Sequence, residues 1–219
     1  MSVRPSRLAE RPAHRLTRRL IHDAARILAE RDPALAGIHA RLGPPPLWGR
    51  PTGFVTLFRI ILEQQVSLAA ARTLFRRIDA HLGGVSPYRI RAAGIDGLRA
   101  LGLTRQKAAY AHGLALRVLD GSLDLRAVAR ADDEAGRLML LSVPGLGPWS
   151  VDIYFLMALK RPDVWPRGDL ALAAALKEVK RLPALPTRDE QQELTAVWAP
   201  WRSVGARLLW AHYLDARRR

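Results

Sequence analysis

The stretch Leu140-Leu-Ser-Val-Pro-Gly-Leu-Gly-Pro-Trp-Ser150 constrains this chain more than any other. An apolar helix runs into it. Pro144, Gly145 and Gly147 then reverse the chain, because glycine accepts positive φ and lets another backbone come close. Pro148 suits the first turn of a second helix, where its missing N–H removes no bond. The product is a tight helix–hairpin–helix whose turn exposes unpaired N–H groups at a helix N-terminus, where a phosphate binds readily. Beyond the second helix, after the loop Arg161-Pro-Asp-Val-Trp-Pro-Arg-Gly168, a single carboxylate, Asp169, opens a run of strong helix formers.

The rest of the chain is helical in pattern. Leu20, Ile21, Ala24, Ala25 and Leu28 mark one face of a helix from Thr17 to Ala29. Asp32-Pro33 reads as N-cap and first residue of a second helix ending near Gly43, and Pro44-Pro45-Pro46 breaks the chain. From Thr52 to Gln64 nearly every residue is apolar, which marks a buried helix, and the polar cluster Glu63-Gln64-Gln65-Val66-Ser67 ends it. Ser67 caps a helix to Leu82, and Ser86-Pro87 starts another. A short helix is expected over Asp96–Ala100, a longer one over Thr104–Leu119, and one over Asp132–Leu141 that enters the hairpin. Trp149–Leu159 leaves it, and Asp169 begins a helix through Lys180. Thr187-Arg-Asp-Glu190 fits a capping box, and Pro200 opens the last helix, which ends in Arg217-Arg218-Arg219. No β-branched alternating segment appears, so the fold expected is all-α. Residues 1–13, rich in Arg and Pro, are expected to be frayed and able to brush a phosphate backbone.

Composition bounds the function. The 219 residues, 49% hydrophobic, suffice for a sizeable core. The net charge is +15, a field that attracts polyanions, although many solvated Arg side chains would give the same figure. Cysteine is absent, which excludes disulfides, thiolate zinc and any iron–sulfur cluster. The six histidines show no paired spacing, so no catalytic metal is expected. No apolar run reaches ~18 residues, and the Arg-rich start lacks the core of a signal peptide. The expectation is an intracellular, cytoplasmic protein.

The hairpin and its neighbours resemble the helix-hairpin-helix Gly-Pro-Asp superfamily of DNA glycosylases. Within it, the chain is most similar to the 3-methyladenine DNA glycosylase II (AlkA-like) branch. The resemblance covers roughly residues 48–215 and rests on Ile61-Leu-Glu-Gln-Gln-Val-Ser67, Leu101-Gly-Leu-Thr-Arg-Gln-Lys-Ala-Ala-Tyr110, Val143-Pro-Gly-Leu-Gly-Pro-Trp-Ser150, Asp163-Val-Trp-Pro-Arg-Gly-Asp-Leu170 and Trp198-Ala-Pro-Trp-Arg-Ser203. It implies two helical lobes around a cleft for an extruded base. On this basis residues 46–219 form one glycosylase domain, and residues 1–45 a basic helical segment packing on it. Larger members of the branch carry an N-terminal β-rich domain, so this chain reads as the compact form.

The resemblance also assigns roles. Asp169 matches the catalytic aspartate, although an Asp there also caps a helix; Asp152 and Asp163 are read as structural. Trp149 stands where bifunctional relatives place a Schiff-base lysine, which implies a monofunctional enzyme without lyase activity. Trp149 and Trp210 would stack on a cationic alkylated base, with Trp165 and Ile153 as further pocket residues. Ile153 occupies a position where some relatives have Tyr, and Tyr154 is displaced by one residue. Gln65 matches the wedge that fills the gap left in the duplex, unless it is a helix-terminal residue facing solvent. Gly145, Leu146, Gly147 and Ser150 would approach a phosphate, joined by Arg105 and Lys107 unless these merely solvate a helix face. The family's hairpin carbonyls, here Val143 and Leu146, can hold Na+ or K+, and no other cofactor is implied. The expected partner is double-stranded DNA containing alkylated bases, bound by a monomer. Two alternatives remain: a non-catalytic helix-hairpin-helix DNA-binding module, and a glycosylase for oxidised or mismatched bases.

Overall fold

The computed structural model describes residues 15–217. Among them are twelve α-helices and no strand: α1 (Arg18–Arg31), α2 (Pro33–Leu42), α3 (Phe54–Glu63), α4 (Leu68–Leu82), α5 (Pro87–Ala100), α6 (Arg105–Leu119), α7 (Leu125–Arg130), α8 (Asp133–Leu141), α9 (Pro148–Tyr154), α10 (Leu170–Lys180), α11 (Arg188–Ala196) and α12 (Arg202–Ala216). The fold is all-α, as expected. Residues 1–13 and the last two arginines lie outside the described residues.

Most helices begin where a side chain can close the first turn. Thr17, Asp32, Ser67, Ser86, Thr104, Asp132 and Asp169 each accept a bond from a first-turn N–H. Thr187 and Glu190 form the reciprocal capping box. Four details differ from the sequence reading. Helix α7, six residues capped by Asp124, is too short to show a period. The helix expected over Asp96–Ala100 is the second half of α5, which breaks at Gly94 (φ 64°). The helix after the hairpin turns π-helical over Phe155–Leu159. The last helix begins at Arg202 rather than at Pro200, with Trp201 at its cap.

The chain forms two compact units, one made of the described residues up to Gly49 together with those from Phe155 onward, the other of Arg50–Tyr154. In the first, α1 and α2 pack on α12, and α10 packs on both α2 and α12. Leu28, Leu35, Leu176 and Leu208 are fully buried, and each such side chain contributes roughly 1.5–3 kcal/mol by leaving water. A polar knot joins these helices. Besides the capping bond from Ala34 N (2.9 Å), Asp32 accepts two bonds from Lys180 Nζ (2.8 and 2.7 Å) and one from Trp198 Nε1 (2.7 Å). Burial works to raise the Asp32 pKa, but the Lys180 and Trp198 bonds outweigh it, and the carboxyl lies below its ordinary value. Arg207, also fully buried, donates to the carbonyls of Trp48 (2.6 Å) and Leu156 (3.0 Å), the latter within the π-helical turn. Desolvation lowers its pKa to about 10, so it remains a cation at neutral pH.

In the second unit, α3 is the central rod. It packs against α4, α6 and α9, and α5 pairs with α6. Phe58, Ile60 and Ile61 are inaccessible, in agreement with a helix read as buried.

Candidate functional site

The hairpin lies in the second unit. Helix α8 stops at Ser142, and the turn closes with Val143 N donating to Leu140 O (3.1 Å) and Leu146 N to Val143 O (3.0 Å). Gly145 has φ 91°, and a Cβ built there would lie 2.3 Å from Tyr110 Cγ on α6. Gly147 differs: a Cβ there would meet nothing within 4 Å. Nothing inside the protein therefore demands glycine at 147, and the position is exposed. Val143 and Leu146 direct their side chains into the core, each 2% accessible.

Two side chains expected to reach toward a phosphate are turned inward instead. Ser150 is 2% accessible, and its Oγ accepts from Gln64 Nε2 at 2.9 Å. Lys107 Nζ donates to Leu62 O (2.8 Å) and Gln64 O (2.7 Å). Those carbonyls close α3, where a helix leaves acceptors unpaired and the dipole favours a cation. Desolvation lowers the Lys107 pKa. Arg105, the first residue of α6, is exposed. Gln65 is also exposed and has φ 56°, rare for a non-glycine residue. Val66 and Leu68 follow it, 46% and 60% accessible, so the tip between α3 and α4 presents apolar surface outward.

Trp149 is half-buried, whereas Ile153 is only 4% accessible. Tyr154 is fully buried, and its hydroxyl accepts from Gly53 N at 3.0 Å. Burial raises its pKa.

The carboxylate lies in the first unit. Asp169 caps α10: Oδ1 accepts from Leu172 N at 3.0 Å, and Trp210 Nε1 approaches the same oxygen at 3.4 Å. The structure thus brings together two residues that the sequence separates by 41 positions. Asp169 is half-buried, and its cap position gives the carboxyl a rigid mount. The other two carboxylates are claimed by arginines. Arg137 Nη1 pairs with the fully buried Asp152. Arg202 grips Asp163 with two bonds of 2.7 Å and a third from its own N–H. Trp165 is 7% accessible and packs edge-on against Trp198, ring centres 5.8 Å apart.

Gln64, Tyr110 and Arg207 escaped the sequence reading. Gln64 carried one signal, its place in an unusual polar cluster. Tyr110 carried another, its spacing of three from Lys107, which puts both on one face of α6. Nothing marked Arg207 beyond being a charge among apolar residues.

A hairpin between two helices, followed by a carboxylate fixed at a helix N-cap, defines an all-α architecture of the helix-hairpin-helix class. The chain belongs to the HhH-GPD superfamily of base excision DNA repair proteins, whose sequence profile matches residues 58–200. It is 26% identical over 174 residues to the DNA-3-methyladenine glycosylase of Bacillus subtilis, covering 74% of this chain and 57% of that one. It is 29% identical over 190 residues to the DNA-3-methyladenine glycosylase 2 of Escherichia coli, covering 80% and 64%. Among solved structures, a 3-methyladenine DNA glycosylase of Schizosaccharomyces pombe in complex with abasic DNA superposes with a TM-score of 0.79 at 25% identity, over 86% of this chain and 95% of that one. The chain spans little more than half the length of the Bacillus subtilis relatives that it matches, 56% and 57%. No helix among the described residues is long and apolar enough to cross a membrane.

Proposed function

We propose that this chain is a monofunctional DNA glycosylase that hydrolyses the N-glycosidic bond of alkylated bases, such as 3-methyladenine or 7-methylguanine, in double-stranded DNA. The observation that carries the reading is the Asp169 carboxylate, fixed at the N-cap of α10 beside Trp210 Nε1 in a chain of this family. Cleavage builds positive charge on the deoxyribose, and a preorganised carboxylate stabilises it. The same group can orient the attacking water. A base alkylated on a ring nitrogen is itself cationic, and an indole such as that of Trp210, beside Asp169, attracts a cation. Trp149 has no amine, so no Schiff base forms there and the product is an abasic site in an uncut strand.

The base must leave the stack before it reacts, which costs a few kcal/mol. Gln65, exposed at the tip between α3 and α4, is suited to fill the gap and to hydrogen-bond the orphaned partner. The open approach at Gly147 suits a phosphate oxygen, with Arg105 adding charge. The Val143 carbonyl keeps one lone pair after accepting from Leu146 N, so Na+ or K+ held by the Val143 and Leu146 carbonyls would add positive charge beside that phosphate.

The test is a base-release assay on duplexes carrying several alkylated and oxidised bases, with Asp169→Asn as the comparison. Asparagine also caps helices, so the variant should fold and melt like wild type while losing release by orders of magnitude. Equal release from both proteins, or none from wild type on any alkylated substrate, overturns the proposal. DNA binding unchanged in both, with no release, would favour the non-catalytic module, and release of oxidised bases alone the other glycosylase.

A further inference from the structure

We propose that Lys107, acting with Gln64 and Tyr110, is a positioning device that sets Gln65 against the hairpin before DNA arrives; this rests on the glycosylase reading and on Gln65 as its wedge. The wedge tip and the hairpin are far apart in sequence, yet one face of α6 holds both. Lys107 ties down the carbonyls of Leu62 and Gln64 at 2.8 and 2.7 Å. Tyr110, one turn further along, lies under Gly145 so closely that no Cβ fits there. Its hydroxyl accepts from Gln106 Nε2 at 2.8 Å. Gln64 closes the frame: its side-chain Nε2 donates to Gly145 O (2.8 Å) and to Ser150 Oγ (2.9 Å).

Gln64 is therefore gripped twice, by α6 at its carbonyl and by the hairpin at its amide. The next residue, Gln65, adopts a left-handed conformation that an L-residue keeps only where its surroundings over-determine it. The clamp on the Gln64 carbonyl fixes the peptide that leads into that conformation. A wedge ordered in advance does not have to be ordered during binding, and this matters most when the base is hard to extrude. Lys107 touches no reacting atom in this scheme. It acts through Gln65.

The distinguishing measurement is single-turnover release of one alkylated base from two duplexes, one with its normal partner and one with a mismatched partner, where extrusion is easier. Lys107→Met removes the clamp while keeping the length of the side chain. Release from the paired duplex should fall roughly tenfold or more, equivalent to about 1.4 kcal/mol at the barrier, and release from the mismatched duplex should fall much less. Lys107→Arg should recover most of the loss, since its donors reach the same carbonyls. Gln64→Met, which breaks only the bonds to the hairpin, should show the same split, and it carries the test if Lys107→Met does not fold. Equal losses on both duplexes, or none, with wild type active, overturn this inference alone. No release by wild type removes the glycosylase reading and this inference with it.

Discussion

The two hairpin glycines should respond oppositely to alanine. At Gly145 the new Cβ would sit 2.3 to 2.7 Å from three Tyr110 atoms, on a backbone with φ 91°. The left-handed backbone costs a non-glycine residue roughly 1–3 kcal/mol, and forcing the ring aside adds about 1–3 kcal/mol. A chain of this size loses roughly 2–4 °C of melting temperature per kcal/mol, so Gly145→Ala should melt roughly 5–20 °C below wild type. At Gly147 nothing lies within 4 Å and the backbone is not left-handed, so the change in stability should stay within about 0.5 kcal/mol. If a phosphate approaches there, the methyl blocks a charge-assisted bond worth about 1.5–3 kcal/mol. DNA affinity should then drop roughly ten- to hundredfold at constant salt. Thermal melts by circular dichroism and binding titrations on one duplex read both effects. Gly147→Ala binding as tightly as wild type would refute the phosphate approach, and a normal melt of Gly145→Ala would refute the steric argument.

Asp32→Asn removes the charge that Lys180 pairs with inside the first unit and should cost about 3 kcal/mol at neutral pH. Because the folded pKa lies below the ordinary 3.8, the stabilisation is full above that value and fades as pH falls through the folded pKa. The gap in melting temperature between variant and wild type should accordingly close in strongly acidic buffer; a gap independent of pH would contradict this. Asp163→Asn should lower stability by about 1 kcal/mol, less than a buried pair because both partners are partly exposed. It should leave base release intact, and a loss approaching that of Asp169→Asn would reassign the catalytic carboxylate.

Local structure was largely legible from the residues. The starts at Thr17, Ser67, Thr104, Asp169 and Thr187 follow from side chains that bond N–H groups two or three positions away, and such bonds need no tertiary partner. The buried character of α3 followed equally from its lack of a polar face. The motif at the hairpin pointed to the family, and the matched profile and relatives agree. Within the site, sequence could name carboxylates but could not say which ones arginine claims. Asp152 and Asp163 are settled by Arg137 and Arg202, whose partners depend on how the helices pack. Asp32 reads as a cap and is one, yet it also anchors Lys180 and Trp198, 148 and 166 positions away. Lys107 and Ser150 likewise look like surface contacts until the fold turns them inward. Capping is decided within one helical turn and so belongs to the sequence. The choice of partner for a charge is decided by which helices meet, and only the tertiary structure decides that.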